Sequence, residues 1–136
     1  MTIATVTELF HVASVDRETF TRAFYAARLA DDNIREATSV EVAERTGMYR
    51  LAYAHGQVVG GYAVQVNADF RIELCNLWGP GYGSRLVSDA LDNGAEVLDC
   101  FDGFLPEFYA RHGFVETSRE PNWTPGAPDV VYMAAS

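Results

Sequence analysis

The stretch that decides the fold is Phe70-Arg71-Ile72-Glu73-Leu74-Cys75-Asn76-Leu77, then Trp78-Gly79-Pro80-Gly81-Tyr82-Gly83, then Ser84-Arg85-Leu86-Val87-Ser88-Asp89-Ala90-Leu91. The first part reads as a strand and the second is the densest punctuation in the chain. The third has a helical pattern stopped by Asn93-Gly94. Three glycines at a strand-to-helix junction let backbone N–H groups turn toward a common point, and the helix that follows adds its positive dipole end. That chemistry suits a phosphate or pyrophosphate. The loop is not a P-loop, because no Gly-Lys-Ser/Thr follows. It is not the dinucleotide fingerprint either, because the final glycine spacing is missing and the preceding strands form a meander. Taken alone, the loop could also be a tight turn joining Leu77 to the helix.

Upstream, no Gly precedes Gly47 and the first third holds no Pro, which suits helix after a short opening strand around Thr2–His11. Ser14 or Asp16 can cap a helix through Ala30, with Phe20, Ala23, Phe24 and Ala27 on one face. A second helical segment covers Ile34–Glu44. From Met48 the period becomes that of strands: Met48–His55, a Gly56-Gln57 turn, Val58–Val66, Asn67-Ala68-Asp69 and Phe70–Leu77 predict three antiparallel strands. Downstream come a buried strand Glu96–Phe101, a helix Leu105–His112 closed by Gly113, and strands Phe114–Arg119 and Val130–Ala134. The last two are separated by an irregular Pro/Gly loop, Glu120–Asp129. The expected class is α/β (α+β): a mixed, mostly antiparallel central sheet of six to seven strands flanked by four helices.

The 136 residues suit one domain spanning 1–136, and 49% apolar residues can build a core. Ten basic residues, all Arg, against nineteen acidic ones give a net charge of −9, a field that argues against a nucleic-acid partner. Cys75 and Cys100 match no metal or redox spacing and read as buried free thiols. No stretch has the apolar length of a membrane span, and Met1-Thr2-Ile3-Ala4-Thr5 lacks the order of a secretory signal, so a cytoplasmic protein without a membrane partner is expected.

Phe108-Tyr109-Ala110-Arg111-His112-Gly113-Phe114 resembles the aromatic-Tyr-x-x-x-Gly-Phe segment of the GNAT acyltransferase superfamily. Gly79-Pro80-Gly81-Tyr82-Gly83-Ser84-Arg85-Leu86 resembles its G-x-G-x-G acyl-CoA loop, and the element order matches across nearly the whole chain. The resemblance implies an N-acetyltransferase with acetyl-CoA, or another acyl-CoA, as co-substrate and a primary amine as acceptor. It implies Cys75 and Leu77 beside the pantetheine arm, with Gly79, Gly81, Tyr82, Gly83 and Ser84 around the pyrophosphate and Trp78 at the start of the loop that holds the donor. It also implies Tyr109 as the acid that protonates the departing thiolate, which suits a phenol protonated at neutral pH. The chain departs from the family pattern at Trp78, where Gln or Arg is usual, and at Asp102, where Asn is usual. The first removes a phosphate contact and the second adds negative charge near an anionic cofactor.

An acceptor ammonium must lose a proton, and a carboxylate can take it directly or through water. Glu73 is the candidate base, expected by strand alternation on one face with Cys75 and Leu77; the alternative is a carboxylate paired with Arg71. Glu107 reads as a first-turn carboxylate and Ser84 as a helix cap rather than a nucleophile. The histidines at 11, 55 and 112 are dispersed, and no grouping has metal-ligand spacing, so no metal is assigned. Trp123, with Tyr25 or Arg28, is expected to line the acceptor side; the alternative folds Trp123 back on the sheet edge or into a homodimer contact. Two other readings compete with the enzyme: a non-catalytic binding module of the same fold, and a relative that modifies a nucleobase with an unusual donor.

Overall fold

The computed structural model describes residues 9–40 and 47–135. Among them, strands β1 (Phe10–Val15), β2 (Met48–Ala54), β3 (Gln57–Val66), β4 (Ile72–Trp78), β5 (Val97–Phe101), β6 (Phe114–Glu120) and β7 (Val130–Ala135) form one sheet of order β1-β2-β3-β4-β5-β7-β6. All neighbours are antiparallel except β4 and β5. Four helices accompany it: α1 (Arg17–Ala30), α2 (Asp32–Ala37), α3 (Gly83–Asp92) and α4 (Phe104–Ala110). The mixed, mostly antiparallel sheet with flanking helices is the expected class.

Several boundaries differ from the sequence reading. The opening strand lies at Phe10–Val15, with residues 1–8 outside the described part. Ser14 belongs to this strand, where its hydroxyl accepts from Arg50 at 2.8 Å, so Asp16 is the α1 cap, its carboxylate accepting from the Thr19 N–H at 2.7 Å. The second helix stops at Ala37, where Thr38 turns extended; of the rest of its predicted span, 41–44 falls outside the described residues. The β2–β3 turn is His55-Gly56 rather than Gly56-Gln57, both residues having positive φ, the twist a two-residue hairpin favours.

The sheet has two differently covered faces. On the front, α1 brings Phe20 and Phe24 against Tyr49, Leu51, Ala63, Cys75 and Trp78. The Phe20 and Phe24 rings lie 5.4 and 5.3 Å from that of Trp78. Burying each phenylalanine is worth about 1.5–3 kcal/mol. On the back, α3 and α4 cover Tyr62, Val64, Leu74 and Leu98 with Leu86, Val87, Ala90 and Tyr109.

Strand β4 does not alternate regularly. Ala63 faces Cys75 and Gly61 faces Trp78, so three steps along β4 match two along β3. The extra residue is a bulge. Leu74 and Leu77 both pack on the back, whereas Cys75 and Trp78 both pack on the front. Asn76, at φ 52°, takes the left-handed conformation that Asn tolerates better than most residues.

Helix α3 is fastened to the sheet by a partly buried polar cluster. Asp89 accepts from Arg50 Nε at 2.8 Å and from the Tyr62 hydroxyl. Burial first, and then the bond to Asp89, push the Tyr62 phenol well above its ordinary value. Removing Asp89 takes an acceptor from Arg50, Tyr62 and Asn93. Asp89→Ala should therefore lower the unfolding free energy by roughly 2–4 kcal/mol and Tyr62→Phe by only about 1 kcal/mol, read from denaturant midpoints. Equal, small losses would mean the cluster does not hold the helix.

Candidate active site

Strands β4 and β5 pair at Glu73↔Val97, the one parallel register pair among the described residues, and then part. Strand β5 is held along its length by β7, from Val97↔Ala134 to Phe101↔Val130. Strand β4 is drawn the other way by its bulge. Asn76 accepts from the Ser39 N–H at 2.8 Å and donates to the Ser39 carbonyl at 2.9 Å, a two-point clamp to the segment after α2. At the end of β4, bordered by α2 and α4, opens a cleft of about 740 Å³, within the range of small-molecule sites.

One end of the cleft is the glycine loop. Gly79 and Gly81 have positive φ, and the Tyr82 N–H donates to the Gly79 carbonyl at 2.8 Å, closing the turn. A Cβ on Gly60 of β3 would stand 2.4 Å from the Trp78 carbonyl and 2.8 Å from Gly79 Cα, so the loop rests directly on β3. No side chain caps α3, and its first bond runs from the Leu86 N–H to the Tyr82 carbonyl. The N–H groups of Gly83, Ser84 and Arg85 therefore have no partner within the helix. Ser84 is not the cap expected of it; its hydroxyl lies 3.2 Å from His112 Nε2.

The floor of the cleft includes Leu77 and Tyr109. The Tyr109 ring is edge-on to Phe108 and Phe114, at 5.2 and 5.9 Å, and is 7% exposed. No described residue accepts from its hydroxyl. Burial, with smaller contributions from Cys100 and Cys75, raises its phenol well above the ordinary value, so the proton stays on at any physiological pH. The half-buried Cys100 thiol is likewise pushed up to about 12, by burial first and then by Asp99, Asp102 and Glu116.

The bulge redistributes the other sequence candidates. Cys75 does not share a face with Leu77: it is buried in the front core, its thiol directed at the Glu73 carbonyl at 3.7 Å. Trp78 also packs its indole in that core, at the seam with the cleft. The Tyr82 ring stacks on Phe10 at 5.3 Å, outside the cleft lining. Glu73 lies where the strands meet, in a separate depression of about 560 Å³ with Arg71, Asp99 and Tyr132 rather than beside Tyr109.

Trp123 lines a second cavity of about 520 Å³, which shares Asn33, Ala37, Phe104 and Leu105 with the first. Neither expected companion joins it. Arg28 is spent on the α1–α2 junction, donating to the Thr38 hydroxyl and carbonyl at 2.7 and 2.9 Å, and Tyr25 lies in a shallow depression on α1 with Arg17 and Arg22. Asp102 is at this second cavity, not at the glycine loop, and pairs at 2.9 Å with Arg119, which it shares with Glu116 and Asp129.

The sequence reading passed over Arg85 and Arg111. Both line the cleft beside the glycine loop, and their guanidinium groups rest over the Phe10 and Phe104 rings at 5.0 and 5.9 Å. Neither has a carboxylate partner among the described residues. Their signal was adjacency: one directly follows Gly83-Ser84, and the other follows Tyr109 by two positions.

This architecture is the GNAT fold. The chain is similar to the IAA acetyltransferase from Bacillus cereus ATCC 14579, with a TM-score of 0.70 and 16% identity over 93% of this chain and 98% of that one. It is also similar to the ribosomal-protein-S18-alanine N-acetyltransferase from Escherichia coli, with a TM-score of 0.68 and 17% identity over 93% and 92% of the two chains. A third likeness is to a GNAT family acetyltransferase from Elizabethkingia anophelis with acetyl-CoA bound, with a TM-score of 0.65 and 17% identity over 95% and 99%. No family model matches the sequence, and no curated protein matches it.

The clamp at the bulge is open to test. Asn76→Ala loses both bonds to Ser39 and places an ordinary residue at positive φ, which should cost roughly 2–4 kcal/mol. Asn76→Gly loses the bonds alone, at about 1–2 kcal/mol. Chemical denaturation separates the two, and identical losses would show that the left-handed conformation is not held.

Proposed function

We propose that the protein is an acyl-CoA-dependent N-acyltransferase, carrying an acetyl group from acetyl-CoA to a primary amine by direct attack in a ternary complex. The observation that carries the reading is the cleft at the end of β4, with unpartnered N–H groups of α3 at one end and a protonated Tyr109 hydroxyl in its floor. A similar protein solved with acetyl-CoA bound supports the choice of donor. When bound, acetyl-CoA supplies an activated thioester.

The residues of this chain supply the rest. Gly81, Gly83 and Ser84 offer backbone donors to a pyrophosphate, and Arg85 and Arg111 bring the positive charge that the loop itself lacks at Trp78. Leu77 gives the pantetheine arm an apolar wall. The Tyr109 hydroxyl holds the proton that the leaving sulfur needs. Glu73, at the junction of the strands, takes the proton from the acceptor ammonium through water, since it does not open into the cleft itself. The two free cysteines suit a reducing compartment, the cytoplasm. No described helix is long and apolar enough to cross a membrane.

The non-catalytic alternative would be favoured by a cleft filled with Trp78 or Tyr82, whereas the Trp78 indole packs in the front core and the Tyr82 ring lies outside the cleft. A nucleobase-modifying relative would need its arginines gathered on one face, whereas Arg22, Arg35, Arg50, Arg71 and Arg119 are each committed to carboxylates.

Calorimetry is the first test. Acetyl-CoA should bind one to one, and the double variant Arg85→Ala/Arg111→Ala should bind it about tenfold or more weakly with a flatter salt dependence. No binding at millimolar acetyl-CoA would overturn the reading.

Tyr109→Phe should lower kcat about a hundredfold while leaving acetyl-CoA affinity within about twofold. Because its phenol is raised above about 10, the rate should show no alkaline fall from this group below that pH. An alkaline limb near pH 9 that vanishes in Tyr109→Phe would contradict the raised phenol, and an unchanged kcat in Tyr109→Phe would remove the residue from the mechanism.

A further inference from the structure

The second cavity exposes large aromatic surface to water: Trp123 is 80% and Phe104 66% exposed, and Phe101 lies 6.4 Å from the Trp123 ring. The indole is not on a loose tether. Asn122 donates to the Pro128 carbonyl at 2.9 Å and accepts from the Thr124 N–H at 2.9 Å, and Ala127 donates to Thr124 at 3.2 Å, within a segment stiffened by Pro121, Pro125 and Pro128. An aromatic held out on a rigid support is an anchor surface, since a ligand that stacks on it does not have to order the loop.

The charge around the cavity is selective. Asp102 shares the single guanidinium of Arg119 with Glu116 and Asp129, and on α2 the Asp32–Arg35 pair is closed at 2.8 Å. Glu36 faces the same cavity with no ion-pair or hydrogen-bond partner among the described residues. The cavity wall is therefore net negative beside three aromatic rings, with Glu36 its unpaired carboxylate among the described residues. Phe101 and Asp99 share a face of β5 by strand alternation, so the aromatic end continues toward the depression that holds Asp99 and Glu73.

Resting on the acyltransferase reading, we infer that this cavity selects the acceptor: a primary amine carrying a flat aromatic body, its ring on Trp123 and Phe104 and its ammonium drawn by Glu36. A polyamine would leave the aromatic wall unused, since its methylenes have no ring to stack on Trp123 and Phe104. An aromatic acid would meet Glu36 as a like charge. The cavity of about 520 Å³ suits one ring and a short side chain.

The test is binding rather than turnover, so it remains valid if acetyl-CoA fails to bind. Trp78 is 5% exposed, so changes in quenchable tryptophan fluorescence report on Trp123. The whole protein is titrated with phenethylamine, 3-phenylpropionate, hexylamine and spermidine. Phenethylamine should saturate at a concentration at least tenfold below the other three. Glu36→Gln should shrink its advantage over 3-phenylpropionate to less than threefold, and Phe104→Ala should do the same against hexylamine. Where the donor binds, kcat/KM for acetylation should rank the three amines in the same order. Equal or tighter binding of hexylamine, spermidine or 3-phenylpropionate overturns the inference. So does a dimer, seen by sedimentation, that Trp123→Ala dissociates, because the surface then belongs to a second copy.

Discussion

The two hydrogen bonds between Asn76 and Ser39 hold a single extra residue in β4, and much of the molecule depends on that insertion. With strict alternation, Leu77 would have faced α1 and Trp78 would have faced α3. The bulge exchanges them. Trp78 completes the aromatic core under α1, Leu77 becomes part of the cleft floor, and the end of β4 bends away from β5. A strand pair that had continued its ladder would have no space between its members.

This same insertion explains why the site was only partly legible in the sequence. The glycine loop, the helix after it and Tyr109 announce themselves through residue types with narrow conformational or chemical uses. Leu74-Cys75-Asn76-Leu77-Trp78 contains apolar residues on both sides of the irregularity, so a period of two can be drawn through it in either phase. The one cue was Asn76, a residue disfavoured within strands. Glu73, Cys75 and Leu77 were grouped by an alternation that the chain breaks between the last two of them. Tyr25 and Arg28 sit on the first helix, and nothing local in the sequence tells that Arg28 is needed by Thr38 across the α1–α2 junction. Ser14 and Asp16 were equal as caps until the partner of Ser14, Arg50, was placed in space.

Net charge gave a misleading impression of the glycine-loop end. An excess of nine negative charges describes the far field. Near the surface the pairing decides, and most of the described arginines are already engaged: Arg119 alone bridges Asp102, Glu116 and Asp129 at 2.9, 2.7 and 3.6 Å. Arg85 and Arg111 rest on aromatic rings, which hold a guanidinium in place without cancelling its charge. A chain that is acidic as a whole thus keeps two uncompensated cations where unpartnered backbone N–H groups also converge.

Cys100 has a chemical consequence for the proposed reaction. A thiolate that reached the thioester would exchange with it and take the acyl group onto the protein, converting a direct transfer into a two-stage one; Cys100 packs against the back core, outside the cleft lining. The neighbouring carboxylates and the burial that hold this sulfur as a thiol remove that competitor at neutral pH. For the proposed transfer the consequence is chemoselectivity: a deprotonated amine would be left as the nucleophile, and the acyl group would have no resting place on this sulfur between donor and acceptor.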